Sequence, residues 1–147
     1  MTRTRSVIGP ADNVGFLLAQ ALQRVNALLM ERFAERGFPE VRASYGSVLV
    51  PLFESDGLRL GELAAASRLS KQAMTGLVQR CEADGLVERE RDAEDRRAFT
   101  IRLSARGREF RAVADEVLTE LDARLAASLG PRNRDALTRA LKGVLEL

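Results

Sequence analysis

Histidine is absent from this 147-residue chain, so no histidine metal site, histidine general base or histidine pH switch is available to it. Cysteine occurs once, at Cys81, which excludes an intrachain disulfide and a cysteine-based zinc site. Lysine occurs only at Lys71 and Lys142, so the basic residues are almost all arginine. Arginine suits bidentate contacts to phosphate or guanine, although a base composition that also favours alanine explains most of this bias. An excess of one charge sign is also missing: 23 basic residues face 21 acidic ones, for a net charge of +2. Bulk charge therefore argues for no partner, and a nucleic-acid partner has to be argued from arrangement. No run is apolar and long enough for a signal peptide or a membrane span, and the expectation is a soluble, cytoplasmic protein. There is no Gly-rich phosphate loop, no internal repeat and no low-complexity tract. A small helical enzyme finds no support, and no cofactor is expected.

What is present is enough length for one domain with a real core, and a helical pattern. Asp12 or Asn13 is placed to cap a first helix. From Val14 the apolar positions 17, 18, 21, 22, 25, 28, 29 and 33 keep helical spacing to about Arg36, and Gly37 and Pro39 stop it. So long an apolar stripe suggests packing on another long helix. Residues 41–54 read as a second helix with Val48, Leu49, Leu52 and Phe53 inward, and Pro51 predicts a kink or an early end. Leu58–Leu60 is a short extended piece. A long helix is predicted from about residue 105 to Ala127. Gly130-Pro131 breaks the chain before a last helix, which buries Leu137, Leu141, Val144 and Leu145.

Between these helices lie two adjoining patterns. Residues 61–67 and 70–84 read as a helix, a tight turn and a second helix capped by Ser70. Leu63, Leu69, Met74, Leu77, Val78 and Cys81 are expected to form their shared core. Lys71, Gln72, Thr75, Gly76 and Gln79 are left outward, a set that is uncharged or positive, as a surface entering a groove requires. Gly85 ends the second helix. Residues 86–104 then read as two strands around a charged turn containing Asp95, Arg96 and Arg97. In the second strand Phe99, Ile101 and Leu103 alternate with Thr100 and Arg102, which seats one face on the core. The hairpin is not net basic, since its carboxylates match its arginines, and some of those arginines are expected to be ion-paired scaffold. Cys81 falls on the inward face of the second helix and is expected to be an inert core thiol.

The order of these features, with Asp84-Gly85-Leu86-Val87-Glu88-Arg89, then Asp95 and Arg97, then Leu103-Ser104 and Gly107-Arg108, resembles the MarR family of winged-helix transcription regulators. Ser104 stands where the family pattern has Thr, and the hydroxyl cap is kept. The resemblance implies a mainly α fold with a small β-wing. A winged helix-turn-helix DNA-binding region would occupy residues 41–104, and the N- and C-terminal helices, residues 11–37 and 105–147, would form a dimerisation region of one domain spanning 1–147. It implies major-groove contacts from Ser70, Lys71, Gln72, Thr75 and Gln79, with Gln72 suited to an adenine edge. Arg96 or Arg97 would reach the minor groove, with Asp95 as the brace that holds Arg97. Gly76 stands where many relatives carry a longer side chain. The implied protein is a homodimeric repressor on a palindromic operator in double-stranded DNA, released by a small aromatic or phenolic effector near Arg42 and Tyr45. Both residues fall there by resemblance only; Tyr45 in the core with its hydroxyl satisfied, or a surface role, is the favoured reading. The alternative is a protein-interaction module of the same fold that has lost DNA binding.

Overall fold

The computed structural model describes residues 10–95 and 97–147. Helix α1 runs Val14–Glu35, started by Asn13, whose side chain accepts the Phe16 amide at 3.0 Å. It lies along α5, Ala105–Leu129. The contact is aromatic at one end, where Phe110 of α5 meets Phe33 edge-on at 4.8 Å between centroids and Phe38 at 5.2 Å. Arg32 of α1 and Arg36, which follows its last residue, reach Glu120 and Glu116 of α5. These pairs are solvent-exposed and add little to stability.

The second helix begins later than its apolar pattern suggests. A 3₁₀ turn at Ala43–Tyr45 leads into α2, Gly46–Glu54, with Val48, Leu49 and Leu52 buried. Pro51 lies inside it without ending it. Proline has no amide to offer the Ser47 carbonyl four residues back. The Ser67 hydroxyl, from the end of α3, donates to that carbonyl at 2.5 Å. A side chain 16 positions further on thus supplies the hydrogen bond that Pro51 cannot.

Strand β1, Leu58–Arg59, leads directly into α3, Leu60–Ala66. The turn into α4, Lys71–Ala83, places Arg68 at φ +53°, the left-handed region that an arginine rarely adopts. Two backbone bonds close that turn, Arg68 N–H to Ala65 and Leu69 N–H to Ala64, a Schellman arrangement. At the other end of α4 the same arrangement recurs with Gly85, at φ +76°, in the left-handed position. Strands β2, Val87–Arg91, and β3, Phe99–Leu103, form the hairpin, and β1 pairs on the free side of β3, giving an antiparallel order β1-β3-β2. The register runs from Val87 opposite Leu103 to Arg91 opposite Phe99, with Leu58 opposite Ile101. After α5, Gly130 turns the chain and Pro131 opens α6, Pro131–Val144.

The buried core is contiguous, from Phe33 through Tyr45, Leu49, Leu63, Met74 and Leu86 to Ile101, Leu103 and Phe110. Three expectations are corrected by it. Leu69, expected in the helix-turn-helix core, is 36% exposed because Arg68 turns the chain outward. Phe99, expected to seat the hairpin, lies beyond the core edge at 42% exposure, and Ile101 and Leu103 alone anchor β3. Leu137, Leu141, Val144 and Leu145 of α6, expected to be buried, are all exposed within the single chain. Periodicity identifies which side of a helix is apolar; it does not say whether the same chain covers it.

Candidate nucleic-acid interface

The reading face of α4 starts at Ser70, whose hydroxyl accepts the Ala73 amide at 3.1 Å. With the Ser70 oxygen committed to the cap, Lys71, Gln72 and Gln79 stand exposed and Thr75 is half-buried. Thr75 donates to the Lys71 carbonyl at 2.8 Å. The opposite face, Met74, Leu77, Val78 and Cys81, is buried. One face is therefore fixed to the core while the other presents polar side chains along roughly 20 Å, about what a 13-residue helix spans and what a major groove admits. Gly76 leaves a gap on this side, its nearest neighbour to a hypothetical Cβ being the Arg80 guanidinium at 3.7 Å.

Across from this face stands the hairpin, and between them lies a groove of about 520 Å³. Val78, Phe99 and Ile101 line its apolar floor, and Lys71, Arg89, Arg97 and Arg59 stand around it. The arginines divide into two groups. Arg89 pairs with Glu82 of α4, and Arg102 pairs with Glu90 across the hairpin, so these act as scaffold, as the charge balance predicts. Arg91 lies 5.9 Å from the centre of the Phe99 ring. Arg97 is exposed, and among the described residues its guanidinium makes no ion pair. Arg96 lies outside the described residues.

Asp95 does hold the turn, but through the backbone: its carboxylate accepts the Arg97 amide at 3.0 Å and makes no side-chain pair with Arg97 among the described residues. A second carboxylate, which sequence reasoning missed, does more. Asp92 accepts the Glu94 amide at 2.8 Å and, more weakly, the Asp95 amide at 3.4 Å. Its other oxygen takes two bonds from Arg59, at 3.1 Å from Nε and 2.6 Å from Nη2. The amides and then the guanidinium hold the Asp92 carboxyl below the usual carboxylate range. Arg59 occupies a helix N-cap position, where arginine has no acceptor to offer, and Glu62 caps the Arg59 amide at 3.0 Å instead.

The base of the hairpin is fixed by Ser104. Its hydroxyl accepts the Gly107 amide at 3.0 Å, capping α5, and donates to the Gly85 carbonyl at 2.5 Å. Gly107 packs so close that a Cβ there would fall 2.1 Å from the Leu86 carbonyl oxygen. The two ends of the hairpin are thereby tied to the end of α4 and the start of α5.

A different hollow, of about 460 Å³, opens between α1, α2 and α5, lined mainly by apolar groups including Met30, Phe33, Leu49, Phe53 and Phe110, with Arg111 its one cation among the described residues. Arg42 and Tyr45, the residues expected at an effector site, do not line it. Arg42 is exposed, and Tyr45 is 1% exposed with its hydroxyl donating to Asp84 at 2.5 Å. Burial and that hydrogen bond push the tyrosine up to about 12, so the core alternative for Tyr45 is the one realised. Cys81 is fully buried, and burial pushes its thiol up to about 12, as an inert core thiol requires.

A family model described as the MarR family matches residues 52–98, from the end of α2 through the wing. The HTH-type transcriptional repressor Rv2887 of Mycobacterium tuberculosis is 31% identical over 138 residues, covering 87% of this chain and 92% of that repressor. The chain belongs to the MarR family. The MarR-family fold, a winged helix-turn-helix joined to terminal helices, is that of a DNA-binding transcription regulator and not of an enzyme. The repressor YetL of Bacillus subtilis is 33% identical over 88 residues, a match that spans 58% of this chain and only about half, 51%, of that protein. A solved structure described as the transcriptional repressor CouR bound to a 23-mer DNA duplex superposes with a TM-score of 0.78 at 26% identity, covering 97% of this chain and 99% of that one. Among the described residues no helix is long and apolar enough to cross a membrane.

Proposed function

We propose that this MarR-family protein is a homodimeric repressor that reads a palindromic operator and lets go of it when a small aromatic ligand binds. In this reading Lys71, Gln72, Thr75 and Gln79 face base edges in the major groove, and Ser70 orients the first turn. Arg97, with Arg96 beside it in sequence, enters the neighbouring minor groove, whose negative potential attracts guanidinium. The observation that carries the proposal is the pairing of the exposed polar side chains Lys71, Gln72 and Gln79 with Arg97, which makes no ion pair among the described residues, on the two sides of one groove, while Arg89 and Arg102 are neutralised by carboxylates. Weak net charge then leaves affinity to geometry, and therefore to two copies held at a fixed spacing.

Dimerisation is supported by what one chain leaves uncovered. Of the 22 residues of α1 only Phe33 is buried, and α6 buries none. Val14, Phe16, Leu17 and Leu22 at one end of the chain and Leu137, Leu141, Val144 and Leu145 at the other are exposed. An apolar surface of this extent is characteristic of an interface, and a stable dimer buries about 800 Å² on each partner. The effector site in this reading is the hollow between α1, α2 and α5, which joins the terminal helices to the DNA-reading unit. Its aromatic lining suits a flat ring, and Arg111, which shares the lining with Glu54 and Asp115, suits a phenolic hydroxyl. A ligand there would act by changing the distance between the two reading helices.

The test is sedimentation of the double variant Leu137→Glu/Leu141→Glu beside the parent chain. The parent is expected to sediment as a dimer, and the variant as a folded monomer with at least about tenfold weaker operator binding. A parent that is monomeric while binding DNA with full affinity contradicts the dimeric reading.

A further inference from the structure

We propose that Arg59 is a positioning residue for DNA binding: it clamps the wing tip, through Asp92, to the start of the helix-turn-helix and so sets where Arg97 points. The inference rests on the DNA-reading function proposed above and adds to it a residue outside both the reading helix and the wing.

Arg59 belongs to β1 and to the N-cap of α3 at once. Its backbone is fixed twice, by its pairing opposite Thr100 of β3 and by the Glu62 carboxylate on its amide. Its guanidinium is thus carried on a rigid base. It binds Asp92 with two nitrogens, and the Asp92 side chain is only 14% exposed, so the pair is partly shielded from solvent. Asp92 is the first residue after β2, where strand order ends and the tip begins. Its remaining oxygen gathers the amides of Glu94 and Asp95, and Asp95 in turn gathers the amide of Arg97. The tip also closes through Asp92 N–H to Ala98 and Ala98 N–H to Asp95.

The result is a chain of fixed bonds from the start of α3 to the wing arginine. A hairpin alone is hinged at its base and its tip is free to swing, so an arginine carried there would have to be ordered at a cost on binding. The Arg59–Asp92 pair removes that freedom beforehand and fixes the width of the groove between α4 and the wing, which Arg59 itself lines. A charged pair 33 positions apart also ties the two halves of the reading unit without adding net charge to the DNA-facing side.

The experiment uses the full chain, with a fluorescent duplex enriched by the parent protein from a random pool, and four proteins: parent, Arg59→Ala, Arg97→Ala and the double variant. Hydrogen exchange of the free proteins is recorded alongside. In Arg59→Ala, exchange at the amides of Glu94, Asp95, Arg97 and Ala98 is expected to accelerate while α4 and α5 amides stay as in the parent, and DNA affinity to fall about tenfold. Because Arg59 acts through the wing arginine, adding Arg59→Ala to Arg97→Ala is expected to weaken binding by less than about twofold. Additive losses overturn the clamp, since they would make Arg59 a direct phosphate contact, and so does unchanged exchange at the tip. A parent that enriches no duplex removes the DNA reading itself and the positioning role with it. Unchanged exchange in an otherwise DNA-binding protein removes the clamp alone.

Discussion

Ser104 shows how much one hydroxyl carries here. It is buried, caps α5 through Gly107, and donates to the carbonyl of Gly85, where α4 ends. Replacing it with alanine leaves the buried Gly107 amide and the part-buried Gly85 carbonyl without this partner. The expected loss is about 1–2 kcal/mol in a urea denaturation series, and Ser104→Thr, which keeps the hydroxyl, is expected to lose less. At this scale the sequence was partly legible. Ser104 declared itself by its place before a helical pattern. The inward position of Cys81 followed from the helical period of its neighbours. Arg59 did not declare itself, because its partner Asp92 is 33 positions away and an ion pair leaves no periodic trace. Asp95 was legible as a brace but not as a backbone one, since a carboxylate near an arginine suits either form. Arg42 and Tyr45 were placed by resemblance alone, and burial took Tyr45 into the core while leaving Arg42 on the surface.

Among elements, α2 is the instructive case. Pro51 read as a kink or an early end, yet the helix runs through it to Glu54. The local rule concerns a missing amide; the outcome depends on whether something else reaches the abandoned carbonyl, and Ser67 does. Ser67→Ala is therefore expected to destabilise the fold by about 1 kcal/mol in thermal or urea unfolding, from the orphaned Ser47 carbonyl. In a Pro51→Ala background the same change is expected to cost distinctly less, because the introduced alanine supplies its own amide to Ser47. Equal costs in both backgrounds would show that the two residues are uncoupled. The wing was legible as two strands because alternation over five residues is strong where one face is buried. Its third strand, β1, was legible only as an extended piece, since two residues carry no period. The exposed end of β3 at Phe99 was missed because alternation fixes a side, not how far the core reaches along it.

The whole molecule has a stability profile that follows from its titrating groups. Glu40, Asp92 and Glu120 are held below their usual range, Glu40 and Glu120 mainly by the guanidinium groups of Arg106 and Arg32, and Asp92 mainly by backbone amides. A lowered carboxylate contributes stability that is present above its unfolded value and is lost as pH falls through the folded one. Cys81 and Tyr45, both raised to about 12, contribute stability that is present below their unfolded values and is lost as pH rises toward 12. With no histidine in the chain, thermal melting is expected to be nearly flat from about pH 5 to 8 and to fall on both sides. A melting temperature that changes steeply around pH 6.5 would contradict this. The terminal helices are where sequence and single-chain structure part most: their apolar stripes were legible, and one chain leaves most of them uncovered. The central claim, that α4 and the wing read DNA as a symmetric pair, is tested most directly by selecting bound duplexes from a random pool with the parent protein and with Arg97→Ala. The parent is expected to enrich an inverted repeat with half-sites about one helical turn apart, and Arg97→Ala to bind that duplex at least about tenfold more weakly. Enrichment of no common sequence by the parent, or equal affinity of both proteins for the enriched duplex, would contradict the account.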